Sequence, residues 1–267
     1  MSALLATDLD RTMVYSRRAR ALGADDAPAL CVEIHDGKQS SWMTAAAAQV
    51  LIELAEAALV VPVTTRIVEQ YRRVLLPGPP VKYAVAANGG TLLVDGHVDH
   101  DWAREVERRL VDVFPLDRVW DQLAHVCHPE FTVKVRNASG LFVYAVVHPS
   151  RLPPGFVEDV SGWAAERGWR TSLQGRKLYL VPERLTKSSA VAEVRRRSGC
   201  ELVLAAGDSL LDIDLLLAAD RGMHPRHGEL HEQGWSAPTV AATTASGIAA
   251  GEEIVRWFAS ELSDQLG

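Results

Sequence analysis

The chain has 267 residues, 48% of them hydrophobic and 23% charged, with a formal net charge of −6. That length accommodates one large domain or a core carrying an inserted module, and the acidic balance speaks against a nucleic-acid partner, since nucleic-acid-binding domains are usually basic. No stretch offers the roughly 18 consecutive apolar residues of a membrane helix. The three cysteines, Cys31, Cys127 and Cys200, are scattered without CxxC spacing and read as reduced thiols. Acids lie within the first ten residues and no basic segment precedes an apolar one, so no secretory leader is expected and a cytoplasmic location is.

In chain order, the apolar run Ala3–Thr7 predicts a buried strand that leads directly into Asp8-Leu9-Asp10-Arg11-Thr12. An irregular segment is expected from Met13 to Ser41, carrying Arg17, Arg18 and Arg20. Thr44 is placed to N-cap a helix through Ala57, with Val50, Leu51 and Leu54 on one face. The next strand, Leu59–Val63, ends in Thr64-Thr65-Arg66, and its Pro62 points to an edge or a bulge because proline has no ladder donor. Leu76–Pro80 reads as a loop, and Tyr83–Ala87 as a strand stopped by Asn88-Gly89-Gly90.

The texture changes from Thr91 to Glu183. An amphipathic helix is expected over Trp102–Phe114, then β-rich runs Phe131–Arg136 and Leu141–Val147 around the turn Asn137-Ala138-Ser139-Gly140. A helix over Val157–Arg167 and short strands at Trp169–Leu173 and Lys177–Val181 complete a small α+β module. Core character returns with a helix over Ser188–Ser198, the strand Leu202–Ala206 and a final helix from Gly251 to Leu262. Strands alternating with helices predict an α/β protein with a Rossmann-like parallel sheet. The expected division is a core of residues 1–90 and 184–267, interrupted by a module of residues 91–183.

Four predicted strands end in polar groups: Asp8 and Asp10, Thr64, Asn88, and Asp208 within Gly207-Asp208-Ser209-Leu210-Leu211-Asp212. In open parallel sheets ligands bind beyond the carboxyl ends of the strands, so these groups are expected to converge. Carboxylates packed together after apolar runs repel one another unless a cation or a chemical task stabilises them. Magnesium takes oxygen ligands and retains waters, so Asp8, Asp10 (through its backbone carbonyl), Asp208 and Asp212 form a candidate metal set. An aspartate attacking phosphorus, a second carboxylate moving a proton, and Thr64 and Lys187 binding the transferred phosphoryl oxygens would make a phosphoryl-transfer site. His224, His227 and His231 have a spacing open to zinc, but Pro225 and Gly228 interrupt the helix such a site would need, and a loop is expected. Arg195-Arg196-Arg197 reads as a solvated helix face, the tryptophans as core packing, and Lys134, Arg136, Arg176 and Lys177 as basic groups without an assignable orientation.

Asp-Leu-Asp-Arg-Thr from Asp8, the strand-end Thr64, Lys187 and Gly-Asp-Ser-x-x-Asp from Gly207, in that order, resemble the four motifs of the haloacid dehalogenase-like (HAD) phosphatases. The long insertion and the Asn88-Gly89-Gly90 junction are similar to the sucrose-phosphatase and Cof-like branch, with its large α/β cap. The resemblance implies a HAD core with an inserted cap that closes over substrate, Asp8 as nucleophile and Asp10 as acid/base. It further implies Thr64 and Lys187 as phosphate ligands, joined by Asn88 and Arg66, and Mg2+ held by Asp8, Asp10, Asp208 and Asp212. The implied activity is hydrolysis of a small phosphorylated metabolite, a sugar phosphate first. Phosphotransferase or phosphomutase chemistry with the same nucleophile, and a non-catalytic phospho-ligand sensor, stand as alternatives. Arg11, Thr65 and Ser188 stand where many members of the family have glycine.

Overall fold

The computed structural model describes residues 2–20 and 27–266. Two compact units are present, one formed by Met1–Asp99 with Lys187–Gly267, the other by His100–Thr186.

The first unit opens with β1 (Ala3–Thr7), whose five residues are all buried. A strand covered on both faces needs no polar alternation, which is why this segment is a continuous apolar run. The segment expected to be irregular is instead ordered over much of its length. It holds β2 (Tyr15–Ser16), α1 (Arg17–Arg20), β3 (Ala29–His35) and β4 (Lys38–Thr44), with β3 and β4 an antiparallel hairpin and β2 on the other side of β4; the part of that segment spanning residues 21–26 lies outside the described residues. Polar residues along the hairpin hid it from hydrophobic patterning. Trp42 is buried there, as expected of a core tryptophan, with the Arg17 and Arg20 guanidiniums over its ring.

Thr44 caps α2 (Ala45–Ala57), its hydroxyl accepting from the Ala47 N–H at 3.0 Å. Such a cap contributes about 1 kcal/mol. β5 (Leu59–Pro62) follows, then a short α3 (Val68–Tyr71) and the antiparallel β6 (Tyr83–Ala86), β7 (Thr91–Val94) and β8 (His97–Val98). The pairing of β7 with β6 keeps residues 91–99 with the first unit.

In the second unit come α4 (His100–Leu110), α5 (Leu116–Val126), β9 (Thr132–Ala138), β10 (Phe142–Val147), α6 (Phe156–Ala165), β11 (Trp169–Gln174) and β12 (Lys177–Pro182). Its antiparallel sheet has the order β11-β12-β10-β9, with α5 on β10 and α6 on β11. The expected helix to Phe114 stops at Leu110, and α5 is an additional helix whose buried Val119 and Leu123 lie at helical spacing. The turn after β9 forms as expected, with the Gly140 N–H donating to Asn137 Oδ1 at 2.7 Å.

The chain returns to the first unit through α7 (Lys187–Ser198), β13 (Leu202–Ala206), α8 (Ile213–Ala218), β14 (Arg221–His224), α9 (Glu229–Glu232), β15 (Val240–Ala242) and α10 (Ile248–Leu266). The central sheet is parallel, ordered β15-β14-β13-β1-β5. β5 pairs only with β1 in it, so Pro62 sits on an edge strand. Beyond Pro62, a parallel bridge between Val63 and Val85 carries the pairing on toward β6. Leu5, Leu9, Leu51, Leu54, Val60, Leu204, Ile254 and Phe258 share one buried cluster, in which α2 and α10 cover the sheet. No helix among the described residues is long and apolar enough to cross a membrane.

Candidate active site

β1 lies between β13 and β5, so their carboxyl ends stand side by side. The Asp8 N–H continues the ladder to the Ala206 carbonyl at 2.9 Å. The chain then turns sharply: the Thr12, Met13 and Val14 N–H groups all donate to the Leu9 carbonyl, and the Arg11 N–H donates to the Val14 carbonyl. Arg11 takes φ 65° at this turn, a left-handed conformation costing about 1 kcal/mol for a residue with a Cβ. Its carbonyl is held from across the fold by His227 Nε2 at 2.8 Å.

Three carboxylates, those of Asp8, Asp208 and Asp212, are buried with ligand oxygens within 4.8 Å of one another. Lys187, first residue of α7, reaches among them. Its ammonium donates to Asp8 Oδ1 at 2.7 Å and to Asp212 Oδ1 at 2.5 Å. Asp212 is anchored on its other oxygen by the Ser209 hydroxyl and by the Asp208 and Ser209 N–H groups, in a capping box that starts the turn Leu210–Asp212. Gly207 makes that approach possible, because a Cβ there would stand 2.4 Å from Asp212 Cβ. Asp214 accepts from the Ser188 N–H at 2.7 Å, so α7 and α8 are tied at the same point.

Burial pushes the Asp8 carboxyl up to about 7, against the pull of Lys187 and with further upward pressure from Asp212 and Asp10. Asp208 is likewise raised, by burial foremost, with the Arg11 charge opposing. Lys187 is raised although burial acts to lower it, because Asp212 and Asp8 outweigh that effect. One buried ammonium does not balance three buried carboxylates. Asp208 Oδ2 is buried without a hydrogen bond, its nearest cationic neighbour being Arg11 Nε at 3.5 Å. A hard divalent cation fits such an all-oxygen set with an uncommitted lone pair.

Asp10 is placed differently. Its carboxylate does not join the trio; it is gripped bidentately by Arg66, with Nε and Nη2 each at 2.7 Å. Arg66 turns its other edge to Glu33, so the guanidinium bridges two carboxylates. Thr64 is fully buried at the end of the neighbouring strand, its hydroxyl accepting from the Arg66 N–H at 3.1 Å. Asn88 lies beside it, its N–H donating to the Thr64 carbonyl at 2.9 Å, with φ 55° at the junction after β6. Of the three histidines, His224 lies in β14, His231 in α9, and His227 in the loop between them.

Glu33 escaped sequence reasoning altogether. Its neighbours in sequence are unremarkable, and the available signal was a lone acid within Leu30-Cys31-Val32-Glu33-Ile34, a run that otherwise reads as a strand.

No known family profile matches the chain. A curated phosphoglycolate phosphatase from Aeropyrum pernix is 34% identical over 96 residues, which span 35% of this chain and 39% of that relative. Among solved structures, the sucrose-phosphatase of Synechocystis sp. PCC6803, in complex with sucrose and phosphate, superposes with a TM-score of 0.61 at 19% identity, covering 97% of this chain and 98% of that one. A HAD subclass IIB sugar phosphatase superposes with a TM-score of 0.56 at 14% identity, over 97% and 99% of the two chains. The fold is therefore that of the HAD phosphatases, α/β with a parallel-sheet core, as the motif resemblance implied.

Proposed function

We propose that this chain, built on the HAD phosphatase fold, is a magnesium-dependent phosphatase acting on a small phosphate monoester, with a sugar phosphate as the first substrate class to test. The observation that carries the reading is the buried trio of Asp8, Asp208 and Asp212 around the Lys187 ammonium at the end of a central parallel strand. The relatives' printed activities support a phosphate monoester, and two of the three name sugar chemistry. In this reading the first unit, with residues 91–99 included, serves as the catalytic core and the second, His100–Thr186, as the cap. A cytoplasmic location fits the free cysteines.

Asp8 attacks phosphorus, the bond from phosphorus to the substrate's alcohol oxygen breaks, and Asp10 delivers a proton to that oxygen. Water then attacks the phosphorus of the aspartyl-phosphate, Asp10 takes its proton, and the bond to the Asp8 oxygen breaks to release inorganic phosphate. Thr64 and Lys187, with Asn88 and Arg66 close by, stabilise charge on the phosphoryl oxygens. Asp8, Asp208 and Asp212, with the Asp10 carbonyl, would hold Mg2+. Once bound, the ion offsets the carboxylate repulsion and draws charge from the phosphoryl group.

Phosphate release across sugar phosphates, nucleotides and other small monoesters, with Mg2+ or EDTA and with Asp8→Asn alongside, tests the proposal. Turnover that needs Mg2+ and vanishes in Asp8→Asn is expected. A folded protein that binds Mg2+ but turns over nothing in that panel would move the reading to a transferase, or to a phospho-ligand sensor if ligands bind without reaction.

A further inference from the structure

We infer that Glu33, on the β3–β4 hairpin, is the positioning residue that sets the orientation of the Asp10 carboxylate, acting through Arg66. Every N–H of the Arg66 guanidinium has a partner. Nε and Nη2 hold the two Asp10 oxygens at 2.7 Å, Nη1 and Nη2 hold the two Glu33 oxygens at 2.9 and 3.1 Å, and the remaining Nη1 proton faces the Gln70 carbonyl at 3.5 Å. A guanidinium is planar and rigid, so fixing one edge fixes the direction of the other. Glu33 is the fixed edge. It is 5% exposed, the Ser41 hydroxyl donates to its Oε2 at 2.5 Å, and Arg73 Nε stands 3.4 Å from its Oε1.

The backbone is shaped to deliver this carboxylate. The β3–β4 register shifts on both sides of Glu33, and Val32 and Glu33 are buried in succession where a regular strand would alternate. Such bulges re-aim a side chain. The Glu33 backbone bridges Val74, and its carbonyl accepts from the Ser40 hydroxyl at 3.4 Å, so the bulge is braced from both flanks. Asp10, by contrast, has a side chain 39% exposed, against 8% for Arg66 and 5% for Glu33. The partly open carboxylate thus takes its direction from two buried groups.

The inference rests on the reading of Asp10 as the proton donor, and leaving-group dependence separates the two claims. An alkoxide needs a proton to depart, whereas p-nitrophenolate leaves without one. The constant kcat/KM reports steps only up to departure of the alcohol. Glu33→Gln is expected to lower kcat/KM about tenfold or more for an alkyl phosphate and less than about threefold for p-nitrophenyl phosphate, the pattern Asp10→Asn should show more strongly. Glu33→Asp, which keeps the charge, is expected to recover part of the alkyl activity. Asp10→Asn with Glu33→Gln should lose no more than Asp10→Asn alone, because the two act as one unit.

If Glu33→Gln does not melt cooperatively, Ser41→Ala, which removes one donor from Glu33, is expected to show the same bias in smaller measure. Equal losses on both substrates, or none, while Asp10→Asn keeps its alkyl bias, would overturn the role of Glu33 and leave the phosphatase reading standing. A wild type without turnover, or an Asp10→Asn variant without that bias, would remove the reading beneath it and the role of Glu33 with it.

Discussion

Lys187 and Asp8, 179 residues apart in sequence, meet at 2.7 Å with both side chains almost wholly out of solvent. The same ammonium holds Asp212, so one buried cation links the end of β1 to the turn after β13. Replacing Lys187 by Met keeps the stem and removes the charge, leaving two buried carboxylates facing each other. The expected cost is about 3–5 kcal/mol of stability, read by urea denaturation. A loss of about a hundredfold or more in kcat should accompany it, as for other donors to a reacting oxyanion. A Lys187→Met protein as stable as wild type would mean that the carboxylates had taken up protons at no cost, against the close packing seen.

Arg11 stands where a neutral glycine would leave Asp208 Oδ2 without a cationic neighbour. The guanidinium at 3.5 Å supplies part of the charge that a divalent ion would supply, and so competes with it. Arg11→Gly is expected to tighten Mg2+ binding measured calorimetrically without substrate. The left-handed φ of 65° no longer sets a Cβ against the following carbonyl oxygen in that variant, so stability should change by about 1 kcal/mol or less. Weaker binding in Arg11→Gly would identify the arginine as a support of the metal site instead.

His227 sets a pH dependence of known sign. Its Nδ1 accepts from the Gly247 N–H at 3.2 Å, so the proton lies on Nε2 and is donated to the Arg11 carbonyl. Burial pushes this imidazole down to about 4 from an ordinary 6.5. Below pH 6.5 the unfolded chain takes up a proton that the folded chain refuses. The contribution is therefore whole above 6.5, falls as pH drops toward 4, and changes no further below that, at most about 3 kcal/mol in total. Comparing wild type with His227→Gln by denaturation at pH 7.5 and 4.5 isolates the group, since all other titrations are shared. The stability gap should narrow at pH 4.5; a constant gap would mean His227 titrates alike in both states.

Gly207 is closed to any side chain by Asp212, whose Cβ and Cγ would lie 2.4 and 2.5 Å from a new Cβ. Gly207→Ala must push Asp212 off Lys187 or off the Ser209 cap. A destabilisation of about 1–3 kcal/mol is expected, together with weaker Mg2+ binding by calorimetry. Gly222→Ala is the control: the nearest atoms to its new Cβ belong to the side chains of Leu216 and Val240 rather than to the carboxylates, so metal binding should stay unchanged whatever the effect on stability.

Much of this architecture follows from local chemistry. The five-residue run Ala3–Thr7, stopping just before Asp8, and the run Leu202–Ala206, stopping before Gly207-Asp208, announce buried strands with acids at their carboxyl ends, because only burial on both faces tolerates such runs. Thr44 before an alanine-rich stretch and Asn137 to Gly140 between β-rich runs form their cap and turn from residues within three positions, and both were legible. What only the tertiary structure decided is who meets whom. Asp10 and Asp8 are two residues apart, yet Asp8 joins the buried trio and Asp10 turns to Arg66. Glu33 gains its place from a register shift in a hairpin whose polar residues conceal its period, and from Arg66, 33 residues further along. A strand-end acid is a property of the run that precedes it. Its partner is a property of the sheet order and of the loops that the sheet brings together, and no spacing along the chain encodes that.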